Sequence, residues 1–204
     1  MAQDTTSSQV QDLVRRLQLL EDKEQIREVL YRNARGVDRA DPALLKETYH
    51  PDGYEVHWET FTGNGHEFSD FITTETATAR SVYHSVTNPL IDIQDHRAFS
   101  ETAYTARTLV DRSPELGGWV EVVVWGRCLD VLEKRDGVWR IAYRQLARDG
   151  AKRTVVPDPL VPPALTCGRP DRTDPSYLGM AIAERRPPQQ AGKNGMFVAQ
   201  RHLT

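Results

Sequence analysis

Asp38 and His84 are the two side chains whose types and settings point most directly to proton transfer. Asp38 stands in "NARGVDRADP" (33–42), where an apolar-striped helix ends, and His84 lies in "SVYHSVTNPLI" (81–91). A helix C-terminus carries partial negative charge, so a carboxylate there is mildly unfavourable unless a cation or proton donor answers it. Histidine changes charge near neutral pH. A carboxylate bonded to one ring nitrogen fixes the tautomer and makes the other nitrogen a better base. Each residue also has a plain reading: Asp38 as a solvated residue in an interhelix turn, His84 as a half-buried strand residue bonded to backbone.

Around this pair, Tyr31, Tyr54, Tyr83, Tyr104, Trp58 and Trp125 fall on helix or strand segments that could face the interior. Each could simply pack in a core, but a buried tyrosine needs a partner and can donate to a developing oxyanion. Arg144 alternates with Ala142 and Leu146, and an inward arginine is rare unless paired. It is expected to meet Asp38 or another acid, or to bind a substrate anion. Arg107 and Arg127 are expected to face solvent. His57, beside Trp58, could line a cavity, whereas His50, His66, His96 and His202 read as turn, helix-start and tail residues. No histidine pair has zinc spacing and there is no H-E-x-x-H. The chain also lacks a G-x-S-x-G elbow, a P-loop and a G-x-G-x-x-G run, so no metal and no cofactor is expected.

The 204 residues carry a net charge of −3, with 39% hydrophobic and 27% charged side chains. That composition buries a core, and the absence of a basic surplus argues against a nucleic-acid partner. No apolar run approaches the roughly 20 residues of a membrane helix. "MAQDTTSSQVQDLV" shows no secretory pattern, and Cys128 and Cys167 form neither a disulfide framework nor a zinc site. The expectation is a cytoplasmic protein, with Cys128 as a small core residue.

These residues need elements to position them. Residues 8–39 read as a helix, with a break expected near Leu20–Asp22, whose stripe is Ile26, Val29, Leu30, Asn33, Ala34 and Val37. A second helix starts at Asp41–Pro42. "PDGY" reads as a turn, "YEVHWETF" as a strand, and "GHEFSDFITTETATARSV" as a helix with Phe68, Ile72 and Ala79 inward. The period then changes to two, giving four long strands: "YHSVTNPLIDIQ", "AFSETAYTARTLVD", "GWVEVVVWGRCLDVLEKR" and "VWRIAYRQLARD". Asp136–Gly137 marks a tight hairpin between the last two. Helices followed by meandering strands imply an α+β fold, a curved mixed sheet wrapped around N-terminal helices. Eight of the twelve prolines fall in 151–204, so residues 1–150 read as the domain and 151–204 as an extended proline-rich tail. The apolar residues of "LVPPALT" (160–166) are expected to cover the barrel mouth or a neighbouring subunit, with a mobile tail as the other reading of 185–204.

Three stretches, "DKEQIREVLYRNARGVDRADPALLKETYHPDG", "YHSVTNPLIDI" and "LDVLEKRDGVWRIAYRQLARD", together resemble the SnoaL-like branch of the nuclear transport factor 2-like superfamily. The resemblance spans about residues 20–150 and is closest to cofactor-free lyases typified by scytalone dehydratase, hexachlorocyclohexane dehydrochlorinase and bile-acid 7α-dehydratase. It implies a catalytic Asp38–His84 dyad and an active-site arginine at Arg144. Trp58 stands near where scytalone dehydratase has an assisting tyrosine. Asn33 replaces a lysine of the dehydrochlorinase, so dehalogenation is not implied. The implied activity is a dehydratase or C–C lyase acting on a small aromatic or alicyclic hydroxylated compound, in a homo-oligomer, with a trimer favoured. The alternatives are a non-catalytic subunit or ligand-binding module like a dioxygenase β subunit, an isomerase, or an epoxide hydrolase.

Overall fold

Helix α1 runs unbroken from Ala2 to Asp38. The break expected near Leu20–Asp22 does not occur, because residues 8–35 contain neither Pro nor Gly and Asp22 is held in place. Its carboxylate accepts from Lys134 Nζ at 2.6 Å and Trp139 Nε1 at 2.9 Å. Ile26, Leu30, Asn33 and Val37 form the buried stripe. Val10, Leu13, Leu17 and Leu20, on the N-terminal half, are exposed.

The computed structural model describes residues 2–111, 118–156 and 168–184. After α1, Ala40 adopts a left-handed φ of 43° and the Asp41 N–H bonds back to the Gly36 carbonyl at 2.9 Å, which closes the helix end. Helix α2 (Pro42–Lys46) follows, capped by the Asp41 side chain on the Leu44 N–H. A Cβ at Gly36 would lie 2.9 Å from Leu45 Cβ, so only glycine lets the two helices meet this closely. Helix α3 (Gly65–Ala77) starts at an Asn64 cap and buries Phe68.

Among the described residues, six strands form: β1 (Tyr49–His57), β2 (Phe61–Asn64), β3 (Ser81–Gln94), β4 (Arg97–Asp111), β5 (Trp119–Arg135) and β6 (Val138–Val156). They form one mixed sheet, ordered β2-β1-β6-β5-β4-β3, that curves without closing into a barrel. Among the described strands, β1 and β6 alone pair in parallel, with Glu55 opposite Arg144. Register shifts within β1–β6, β3–β4 and β5–β6 supply the bends. Asp136 and Gly137 both take positive φ, as a two-residue hairpin turn requires.

Three sequence expectations change here. "PDG" at 51–53 lies in an irregular part of β1, where a turn was expected. "YEVHWETF" is not one strand, because the chain turns after His57, with Trp58 at φ 59°, and returns as β2. The last strand, expected to end at Asp149, runs on as β6, whose ladder with β5 continues to Val156 opposite Trp119. Pairing continues past 150 because backbone groups make it, whatever the local composition. Asp174 also pairs with Arg39 at 3.4 Å. A second unit begins at Pro175, where Pro175–Glu184 forms 3₁₀ turns kinked at Gly179. Residues 157–167 and 185–204, on which the tail expectation falls, lie outside the described residues.

The core lies between α1, α2 and the sheet and contains Ile26, Leu30, Leu45, Tyr49, Leu132, Trp139 and Ile141. No helix of the described residues is long and apolar enough to cross a membrane.

Candidate active site

The helices and the inner face of the sheet enclose a cavity of about 210 Å³. Ligand pockets commonly start near 300 Å³, so this one suits a small compound. Its helical side is Leu30, Asn33, Val37, Phe68 and Ile72, and its sheet side draws on β1, β3, β4, β5 and β6. Strand alternation accounts for the sheet side: Thr102, Tyr104 and Ala106 of β4 point inward together, as do Glu55 and His57 of β1.

His84 lines this cavity, and Asp38, which is not part of the lining, holds it from behind. Asp38 Oδ1 lies 2.6 Å from His84 Nδ1, and Asp38 Oδ2 accepts the His84 backbone N–H at 3.1 Å. β3 is an edge strand, so a backbone N–H on its outer side has no strand partner and can serve a side chain. Two donors thus answer the carboxylate that the helix end disfavours. A carboxylate oxygen accepts, so Nδ1 is the donor of this bond and Nε2 is left on the far side of the ring from Asp38. Asp38 is 7% exposed, and His84 lines the cavity.

Arg144 does not reach Asp38. Its Nε and Nη2 donate to Asp130 Oδ1 and Oδ2 at 2.6 and 2.9 Å, and its Nη1 donates to Asn33 Oδ1. Asn33 Nδ2 donates in turn to Thr48 Oγ1 at 2.9 Å, which donates to the Leu45 carbonyl at 2.6 Å. Burial pushes the Asp130 carboxyl above its ordinary range, against the pull of Arg144. Burial works against the Arg144 charge, yet Asp130 beside it holds the guanidinium pKa well above its usual value.

Next to this pair, the fully buried Glu55 accepts from Tyr49 Oη at 2.8 Å and contacts His57 Nδ1 at 3.3 Å. The His57 ring stacks on Phe68, with centroids 5.1 Å apart. Burial, reinforced by Glu55, raises the Tyr49 phenol well above its usual value. Burial also pushes the Tyr104 phenol and the Cys128 thiol up to about 12 each, so both are neutral at physiological pH. Among the described residues, no group of three or more His, Cys, Asp or Glu side chains is placed to hold a metal ion.

Of the expected site residues, Asn33, Trp58, Tyr104, His84 and Arg144 line the cavity. Trp58 sits at its rim: the indole donates to the Leu146 carbonyl at 2.7 Å, and the Arg148 guanidinium lies 4.8 Å from the ring centroid. Tyr31, Tyr54, Tyr83 and Trp125 are exposed and stand outside the lining, which corrects their expected inward placement. Tyr83 precedes the inward His84 in β3 and so takes the opposite face. Tyr54 stacks on Tyr143 on the outer side of the β1–β6 pair. His50, expected in a turn, is buried in β1 with Nε2 2.9 Å from the Glu133 carbonyl. Sequence reasoning passed over Glu55 and Asp130. The signal for Asp130 is its place between Cys128 and Leu132 on one inward-facing strand register, where a charge demands a partner.

With this geometry established, three comparisons bear on ancestry. A scytalone dehydratase assignment from Novosphingobium aromaticivorans DSM 12444 is similar at 18% identity, covering 67% of this chain and 90% of that one, with a TM-score of 0.58. A hexachlorocyclohexane dehydrochlorinase, LinA type 2, is similar at 15% identity, covering 73% and 99%, with a TM-score of 0.63. LinA type 3 from Novosphingobium barchaimii LL02 is similar at 16% identity, covering 72% and 99%, with a TM-score of 0.62. Identities this low show a shared fold and leave the substrate open. No functionally curated protein matches the sequence. The SnoaL-like domain model matches residues 18–145, which is most of the chain and spans α1 to β6, and the protein therefore belongs to the SnoaL-like family of the nuclear transport factor 2-like superfamily.

Proposed function

We propose that the cavity is the active site of a cofactor-independent lyase that removes a proton from carbon in a small aromatic or alicyclic hydroxylated compound. The observation that carries this reading is the double hold of Asp38 on His84, by ring Nδ1 and by backbone N–H, in the wall of a small cavity. His84 Nε2 is the base. Asp38 orients the ring and stabilises the imidazolium that forms. Arg144, neutralised by Asp130, is a positioning residue that anchors Asn33, since its fork is already engaged by a carboxylate. The neutral Tyr104 phenol is the donor proposed to meet oxyanion charge. The similar dehydratase and dehydrochlorinase structures support a lyase reading at the level of fold.

The test is proton exchange in D₂O, followed by NMR, across a panel of hydroxylated cyclic ketones with 3-hydroxycyclohexanone as the reference probe. The wild type should exchange the α-proton, and His84→Gln should slow exchange by about 10²–10⁴. Equal rates in the two proteins would sink the proposal. Binding of these ketones without any exchange would favour the second reading, a small-ligand-binding module on the same fold, which the largely apolar cavity also suits.

A further inference from the structure

We infer that Glu55 and His57 form a second proton-transfer pair in this cavity, and that His57 is the general acid that protonates a leaving hydroxyl as His84 removes the proton. The inference rests on the lyase reading and narrows its substrate class to compounds with a hydroxyl on the carbon next to the acidic one.

Position is the first argument. β1 and β3 lie at different places in the open sheet, separated by β6, β5 and β4, yet His57 and His84 both line the same cavity. The curvature of the sheet brings two imidazoles from separate strands onto one enclosed volume. Each ring has a carboxylate at Nδ1: Asp38 at 2.6 Å and Glu55 at 3.3 Å. Each therefore turns Nε2, the other ring nitrogen, away from its carboxylate. Stacking on Phe68 and the contact with Glu55 fix the plane of the His57 ring.

Charge separates the two roles. The buried groups around His57 are Glu55 on its own strand, the Tyr49 phenol on Glu55, and Arg144 and Asp130 on the neighbouring strands, while His84 lines the same cavity and the exposed Arg148 stands at its rim over Trp58. Arg144 commits both sides of its fork to Asp130. Glu55, fully buried, faces Arg144 in register, but its carboxylate meets the Tyr49 hydroxyl and the His57 ring. Among the buried groups, two carboxylates stand against one guanidinium, which leaves one acid without a buried cation. An isolated buried carboxylate is expensive, and a neutral phenol disperses its charge without cancelling it. Imidazolium at His57 closes the balance. Asp38 has a different second donor, the fixed backbone N–H of His84, so its neighbour can remain a neutral base.

The step balances as follows. His84 Nε2 takes the proton from the carbon beside a carbonyl, and the C–H electron pair becomes the new C=C bond by way of the enolate. The C–O bond on the adjacent carbon breaks with its pair on oxygen. His57 Nε2–H protonates that oxygen and water leaves. His84 ends protonated and His57 neutral, and exchange with solvent restores both. No oxidant, reductant or metal enters.

Two measurements test this. The first needs no substrate: ¹⁵N-histidine NMR at pH 7 should show both His57 nitrogens protonated in the wild type and a shift toward the neutral ring in Glu55→Gln. A neutral His57 in the wild type overturns the inference. The second compares 3-hydroxycyclohexanone with 3-acetoxycyclohexanone, whose acetate leaves without needing a proton. In His57→Gln, water loss should fall at least about tenfold further than acetate loss, within the range general acids supply. Equal losses for the two probes would make His57 merely structural and overturn the assignment. The lyase reading fails differently, through an unchanged α-proton exchange rate in His84→Gln.

Discussion

The Asp38–His84 and Asp130–Arg144 pairs use the same ingredients, a carboxylate and a nitrogen donor, to opposite ends. At Asp130–Arg144 both oxygens meet both arms of the guanidinium fork, Asn33 takes a third N–H, and burial is complete on the acid side. Nothing about that geometry leaves a reactive atom poised. At Asp38–His84 the carboxylate is spent on one ring nitrogen and one backbone N–H, and the ring keeps a second nitrogen beside the cavity. A helix end against an edge strand makes the second arrangement possible, whereas adjacent central strands make the first. The closed pair satisfies itself; the half-open pair is the one proposed to do chemistry.

Breaking the closed pair should have the largest effect. Asp130→Ala strands a buried guanidinium and should cost about 3–5 kcal/mol in urea unfolding. The double substitution Asp130→Leu with Arg144→Met should recover most of that loss, because apolar replacement of a whole buried pair is often neutral or stabilising by about 1–4 kcal/mol. A double variant no more stable than Asp130→Ala would show that the pair does more than neutralise itself.

The half-open pair should respond the other way round. His84→Gln and Asp38→Asn should each keep stability within about 1.5 kcal/mol of the wild type, the size of one hydrogen bond. Their turnover should nonetheless fall by about 10²–10⁴. A loss of folding on the scale of Asp130→Ala would erase the distinction between the two pairs.

Asp22 provides an intermediate case: a buried carboxylate with partners from a distant hairpin. Burial opposes its charge, but Lys134 and Trp139 prevail and hold its carboxyl below the ordinary 3.8. A depressed folded value means the stabilisation is present above the unfolded carboxylate pKa and is lost as pH falls through the lower folded value. Thermal melts should therefore show a steeper acid decline in the wild type than in Asp22→Asn. At pH 7 that variant should be weaker by about 1–3 kcal/mol, as for a hydrogen bond to a charged group. Parallel acid limbs would show that Asp22 does not hold α1 to the hairpin by its charge.

The smallest effects belong to the outward aromatics. Tyr83→Phe and Tyr31→Phe should leave kcat/KM within about twofold, since surface substitutions away from special features change little. Steady-state kinetics on the same ketone panel would check this, and a tenfold loss would return these rings to the site.

Much of this molecule was legible from local pattern. The stripe at Ile26, Leu30, Asn33 and Val37 specifies one helix face because a helix repeats every 3.6 residues, and Asp136–Gly137 specifies a hairpin because both positions need positive φ. The Asp38–His84 pairing was reached through the awkwardness of a carboxylate at a helix end together with a family resemblance. What the pattern could not supply was direction across the sheet. Tyr83 and His84 are adjacent in the chain and take opposite faces, and only the register of β3 on β4 decides which one enters the cavity. The partner of Arg144 was equally hidden: the sequence demanded an acid for an inward arginine, but Asp130 lies opposite it only because the β5–β6 ladder is in that register. Periodicity and end effects act within about a dozen residues, so the chain itself determines them. Which carboxylate meets which cation depends on strand register and sheet curvature, which are set by the packing of the whole domain.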